Sequence, residues 1–333
     1  MMHIIKTVFF LLLTIFFLSC DGPEDSPYPV ITFARKASLP SSGRASAASF
    51  VIGGKGYLVL GRTAQRSGAM KDCWQYDPVQ DKWTQKSSFP GIARVKAAAA
   101  VVNGKAYVGL GFNISLGVYN YDACLKDFWM YDPISDTWVQ KADFPSNYTD
   151  ACGCFVSNNE IYIFTGMNSD GFGRDVWKFE PDTGDLGTWI KISDFSGSSR
   201  VGGIASATDQ HFYFGSGYCI KSLNDWWEYF PLTDKWIQRK QMPDNGRENA
   251  VSLNINNRIF VSSGRHFAGN LTGGGVKADI LEYDINKDLW YVRGNIPGGG
   301  RENAIAFTID GKGYIGFGEN DTEVLNDFWS FEP

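Results

Sequence analysis

Histidine is scarce in this 333-residue chain: there are three, and only His211 and His266 lie beyond position 3. Neither sits in a recognisable copper-site motif, which excludes histidine-bound copper chemistry. Basic residues are not in excess either. Lys and Arg number 31 against 36 Asp and Glu, giving a net charge of -5 and an isoelectric point near 5.3. Such a chain has no basic field to draw a phosphate backbone, so nucleic acid is not an expected partner. Setting Cys20 aside, the cysteines are Cys73, Cys124, Cys152, Cys154 and Cys219, an odd number whose spacing forces no disulfide. Cys152 and Cys154 point the same way on an expected inner strand and read as small buried hydrophobes, because other zinc ligands are scarce nearby. No metal or other cofactor is expected.

Long apolar runs are also lacking, with one exception. Lys6 precedes an uninterrupted run over residues 7–18, too short for a confident membrane span and suited to a signal peptide over 1–19. It ends in Phe17-Leu18-Ser19-Cys20, which resembles a bacterial lipobox, and that resemblance implies cleavage and lipidation at Cys20. Each buried CH₂ of an acyl chain adds about 0.8 kcal/mol, so two or more chains would anchor the protein stably to a membrane. Residues 20–30 are acidic and rich in proline and read as an extended spacer. The expected location is therefore the bacterial cell envelope, lipid-anchored, with the periplasmic and surface sides both open.

What the chain has in abundance is repetition, with aromatics at 15% and 37 glycines. Six units begin at Arg44, Arg94, Thr149, Arg200, Arg247 and Arg301. Each reaches a turn pair: Gly53-Gly54, Asn103-Gly104, Asn158-Asn159, Asp209-Gln210, Asn256-Asn257 and Asp310-Gly311. Pairs of this composition suit two-residue hairpins, which need positive φ. A second strand then ends at Gly61, Gly111, Gly166, Gly217, Gly264 or Gly318, and a third opens on Asp72, Asp127, Asp175, Asp225, Asp279 or Asp327 with alternating aromatics. Trp83, Trp138, Trp189, Trp236 and Trp290 open a fourth strand in five units. The sixth has none, and residues 33–40 align with 83–90, so the N-terminal strand is expected to close the last blade. A period of roughly 50 residues built of short strands is the signature of a propeller.

These residues resemble the kelch-repeat β-propeller family, whose blades read Arg, Gly-Lys-x-Tyr, Gly-Gly, Tyr-Asp-Pro and Trp. The resemblance covers residues 31–333 and implies an all-β, six-bladed propeller. One departure is systematic: the second glycine is replaced by Arg62, Phe112, Met167, Tyr218, Arg265 and Glu319. The turn aspartates, such as Asp77 and Asp81, read as Asx-type turns rather than calcium ligands.

In a four-stranded blade the entry to the first strand and the loop between the second and third strands share one face, which gathers the long loops 112–126, 167–174 and 265–277. Arg44, Arg94, Arg200, Arg247 and Arg301 open the inner strands on that face. As a ring they would suit a carboxylate or phosphate ligand; equally, they would pair with the strand-three aspartates as struts. Two adjacent blades break the pattern together, with Arg247-Glu248-Asn249 and Arg301-Glu302-Asn303, while blade three offers Tyr148, Thr149 and Asp150. The candidate ligand-binding residues are therefore the five arginines with Asn249 and Asn303, in an off-centre polar pocket; duplication of one blade would also produce the twin motifs.

Kelch propellers include galactose oxidase, whose copper chemistry the histidine shortage rules out. The strand sequences are also similar in style to the exported sialic acid mutarotase group, and that resemblance implies Glu248 or Glu302 as the proton-moving residue at an anomeric centre. The leading expectation is a non-catalytic binding module for an envelope protein or glycan. A sugar mutarotase or epimerase and an accessory subunit of an outer-membrane uptake system are the alternatives.

Overall fold

The computed structural model describes residues 26–63, 68–117, 120–147, 149–164, 166–168, 170–267 and 274–333. The expected signal peptide, Cys20 and the first part of the expected spacer lie outside the described residues, as does Tyr148.

Six four-stranded antiparallel sheets follow one another around an axis, five of them ordered from inner to outer strand as the chain runs. Blade one is Ala48–Ile52, Lys55–Val59, Cys73–Asp77 and Lys82–Lys86; blade two is Ala98–Val102, Lys105–Gly109, Phe128–Asp132 and Thr137–Lys141. Blades three, four and five begin at Gly153–Ser157, Ile204–Ala207 and Val251–Ile255. Blade six consists of Ile305–Ile309, Lys312–Gly316 and Phe328–Glu332, and its outer strand is Thr32–Lys36, with Phe33 opposite Phe331. The expected closure by the N-terminal strand is therefore present, and the protein is an all-β, six-bladed propeller.

Local sequence explains these elements. Five of the six inner hairpins turn on residue pairs with positive φ, for example Asn103 at 50° and Gly104 at 72°. The pair Asp209-Gln210 is the exception: neither residue has positive φ, and Thr208 and His211 close that turn through backbone and hydroxyl hydrogen bonds. The glycines ending strand two are required by close approach, since a Cβ on Gly61 would lie 2.7 Å from the Ala45 carbonyl oxygen.

The blades are held by aromatic packing between sheets. Tyr76 meets Trp83 and Tyr314 of the neighbouring blade, and Phe128 meets Phe179 and Trp189. The strand-four indoles also reach across: Trp83 donates to the Ala37 carbonyl and Trp138 to that of Ser87, each at 2.9 Å. Asp77 forms the expected Asx turn, accepting from Val79 and Gln80. Asp81 does something else, binding the Tyr76 hydroxyl at 2.6 Å and the Ala37 amide at 2.9 Å, so it fastens blade one to its neighbour. Small residues of the inner strands, Ala97–Ala99, Cys152–Cys154 and Gly203 among them, line a narrow axial cavity. Among the described residues no helix is long and apolar enough to cross a membrane.

Candidate functional site

The five arginines come first, because the structure corrects their expected role. Arg44, Arg94, Arg200, Arg247 and Arg301 are 0–1% exposed, and each turns into its own blade rather than toward the mouth. Arg94 donates to both oxygens of Asp127 at 2.7 Å and to the Leu110 carbonyl at 3.1 Å. Arg44 with Asp72, Arg200 with Asp225 and Arg301 with Asp327 repeat this arrangement. The same carboxylate caps an indole, with Trp129 donating to Asp127 at 2.7 Å and Trp329 to Asp327 at 2.7 Å. Arg247 differs only in sharing its guanidinium between Asp244 and Asp279. Burial pushes the Asp127 carboxyl up, but the hydrogen bonds and charge of Arg94 outweigh it and hold the group below the usual range. With both terminal nitrogens of each committed to carboxylates and strand-end carbonyls, these guanidiniums are struts.

The mouth is built from the next two positions. The residue after each arginine bridges to the residue that replaces the second family glycine: Ala45 to Arg62, Val95 to Phe112, Asp150 to Met167, Val201 to Tyr218, Glu248 to Arg265 and Glu302 to Glu319. The departure noted in the sequence therefore lines the rim. One residue further on, Ser46, Lys96, Ala151, Gly202, Asn249 and Asn303 all have positive φ, between 53° and 62°. Backbone bonds of about 3 Å link several of them from blade to blade, with Lys96 donating to Ser46, Ser46 to Asn303, Asn303 to Asn249 and Asn249 to Gly202. This left-handed turn aims the side chains at the axis.

A cavity of about 290 Å³ opens here, bounded by blades one, two, three, five and six and lying off-centre, away from blade four. Its apolar wall is Val95, Phe112 and Ile114, which pack on Ala123. Its polar wall carries Lys96, Asp150, Asn249, Glu302, Asn303 and Glu319. Asn249 donates to Glu302 and Asn303 to Glu319, each at 2.9 Å, while Arg265 pairs with Glu302 and Arg62 with Glu319. A larger groove of about 550 Å³ lies elsewhere, beside the closing strand Thr32–Lys36; two of its charged residues, Lys312 and Glu332, are exposed and paired with each other at 2.7 Å.

Electrostatics single out two groups. Burial alone would lower the Lys96 ammonium, but the carboxylates of Asp150, Glu248, Glu302 and Glu319 outweigh it and raise its pKa. Glu248 is 7% exposed. Burial pushes its carboxyl up, Glu302 and Asp150 add to the shift, and Lys96 and Arg265 only partly offset it, leaving the group at about 7. A carboxyl poised there can give or take a proton near neutrality. The nearby thiols cannot serve as ready ligands or nucleophiles: burial raises Cys124, Cys152 and Cys154, the last to about 11. Among the described residues no group of His, Cys, Asp and Glu is arranged to hold a metal ion.

Of the residues expected from sequence, Asn249, Asn303 and Glu302 come together on the cavity wall, Glu248 sits buried beside them, and the arginines do not take part. Lys96, Arg62 and Glu319 were missed. Arg62 and Glu319 did carry a signal, since both break the family's glycine pair. Lys96 carried one too, being the single cation at a position otherwise filled by Ser, Ala, Gly or Asn.

The fold and this mouth define a six-bladed propeller with a polar cavity on its loop face. No protein-family model matches the chain. It is 22% identical to Kelch-like protein 23 of Homo sapiens over 261 residues, which are 78% of this chain and 43% of that protein. It is 29% identical to Kelch-like protein 35 of Mus musculus over 157 residues, 46% of this chain and 24% of that one. The chain thus spans less than half the length of these relatives. It superposes on the solved structure of YjhT with a TM-score of 0.75, covering 90% of this chain and 99% of that one at 16% identity, a likeness of fold. The chain is thus a six-bladed β-propeller whose sequence is similar to that of Kelch-like proteins.

Proposed function

We propose that the protein is a sugar-binding propeller and that the mouth cavity holds one small polyhydroxylated ligand. The observation that carries this reading is the pairing of two unlike walls in about 290 Å³: Phe112 and Val95 offer an apolar face to ring C–H groups, and Asn249, Asn303, Glu302 and Asp150 offer amides and carboxylates to hydroxyls. Titration calorimetry of the purified protein against a panel of monosaccharides tests it. Saturable binding that is weakened by Asn303→Ala supports the site; a flat response across the panel, with an envelope protein co-purifying instead, overturns it.

A second reading, mutarotation, is favoured by one observation, the Glu248 carboxyl held at about 7. Opening and reclosing a pyranose needs one group to take the proton of the anomeric hydroxyl and another to protonate the ring oxygen. Glu248 and Glu302, beside Lys96, supply candidates for both. Exchange spectroscopy of the α and β anomers, with and without the protein and its Glu248→Gln variant, decides: acceleration by the parent and not by the variant establishes turnover, and no acceleration by the parent leaves a binding module.

The envelope location belongs to the same proposal. The described chain enters beside the hairpin turns: Tyr28 stacks on Arg258, which follows the Asn256-Asn257 turn, and Thr32–Lys36 then runs toward the loop face. A lipid on Cys20 would therefore hold the turn face toward the membrane and the mouth away from it. Loss of lipid labelling in Cys20→Ala is the expected result, and unchanged labelling would remove the anchor from this account.

A further inference from the structure

The sequence points to an acidic ligand, but the charges that remain at the mouth favour the opposite sign. We infer that the cavity selects a sugar carrying a positive charge, an amino sugar, with Asp150 as the receptor for its ammonium group; this rests on the sugar-binding reading above.

The arginines that would have met a carboxylate are consumed within the blades. On the cavity wall three carboxylates, Asp150, Glu302 and Glu319, face two cations, Lys96 and Arg62. Immediately behind, Arg265 is paired with both Glu302 and Asp321. Arg62 is matched to Glu319, and Lys96 feels four carboxylates, Asp150 most strongly, but among the described residues its ammonium closes a salt bridge with none of them. Asp150 therefore has Lys96 nearby but no ion pair of its own among the described residues.

Its position sharpens the point. Asp150 is 8% exposed and lines the cavity, and its Oδ1 is buried with no hydrogen-bond partner among the described residues. The equivalent positions in blades one, two and four are the apolar Ala45, Val95 and Val201, and the strut arginine that would lie beside it is Thr149. A buried carboxylate oxygen without a donor is costly, and a ligand N–H⁺ entering the cavity would remove that cost. An acidic sugar would instead bring a fourth carboxylate to the wall.

Calorimetry of the full-length protein with D-glucose, D-glucosamine and D-glucuronate tests this with rings that differ chiefly in charge. At about pH 6 an amine is protonated. Glucosamine should bind at least about ten-fold more tightly than glucose, the scale of one charge-assisted hydrogen bond, and glucuronate should bind most weakly. Asp150→Asn should bring the glucosamine-to-glucose ratio close to one; should that variant fail to fold, the three-sugar series on the parent decides. Equal binding of glucose and glucosamine, or tighter binding of glucuronate, overturns the inference and leaves the sugar site standing. Failure of all three to bind overturns both. Binding of Nα-acetyl-lysine amide as tightly as glucosamine would also overturn it, by assigning the ammonium receptor to a lysine side chain of a protein partner.

Discussion

At the start of the last blade's inner strand, Arg301 turns into the sheet and is closed off by Asp327 and the Phe317 carbonyl, while Glu302, one residue later, turns to the mouth and meets Arg265 and Asn249. The first position is nearly invariant from blade to blade and the second is not. Alternation along a strand explains the split, because successive side chains leave on opposite faces. The inward-turned arginine solves the same packing problem in five of the six blades and so repeats. The mouth set meets a single shared space, where each blade contributes something different. Scaffold and site are thus interleaved residue by residue.

This contrast can be broken experimentally, beginning with the scaffold. Removing residues 26–36 takes away the strand paired with Phe328–Glu332 and the Phe33 ring that lies 5.3 Å from Phe331. The loss should exceed about 3–5 kcal/mol, the range for one large core ring, and denaturant unfolding would show it. A truncated protein melting at the parent temperature would contradict the closed ring of blades.

Arg94→Ala comes next. It leaves Asp127 partly buried with only the Trp129 indole donating to it and no cation to balance its charge, so about 3–5 kcal/mol of stability should go. Should Arg94→Ala instead keep its melting temperature and lose ligand, the arginines belong to the site after all.

Glu248→Gln probes the mouth and should act with the opposite sign. A carboxyl raised to about 7 in the folded state binds its proton more tightly there than in the unfolded chain. The parent should therefore be most stable below the unfolded pKa and lose stability as pH rises through about 7, by up to about 3 kcal/mol. The glutamine variant should show no such decline and should be the more stable protein at about pH 8. Thermal melts across pH measure this, and parallel curves for the two proteins would remove Glu248 from the electrostatic account.

The smallest effect is expected where blade three departs from the rest. Thr149 stands at the arginine position, and the buried Trp177 indole nitrogen lacks the carboxylate partner that Trp129 and Trp329 have. Thr149→Arg, aimed at Asp175, should restore the strut and add about 1 kcal/mol, the net worth of an intramolecular hydrogen bond. A destabilised variant would show that blade three has closed around the smaller side chain.

Much of this was legible in the chain. Turn pairs such as Asn103-Gly104, the aspartates opening strand three and the alignment of residues 33–40 with 83–90 identify six blades and their closure, because each depends on local conformation or on a pattern repeated in register. Glu302, Asn249 and Asn303 were visible as breaks in the pattern. The direction of the arginines was not, since one residue's difference in register decides whether a guanidinium lines a mouth or fills a blade.

The sequence by itself determined the architecture and the scarcity of metal-binding side chains, since repeat period, turn chemistry and composition are properties of the chain alone. Only the tertiary structure decided which charged side chains meet at the mouth. Lys96, Asp150, Glu248, Glu302 and Glu319 come from four blades and meet only when the ring closes, and a pKa such as that of Glu248 is set by burial and by charges distant in sequence.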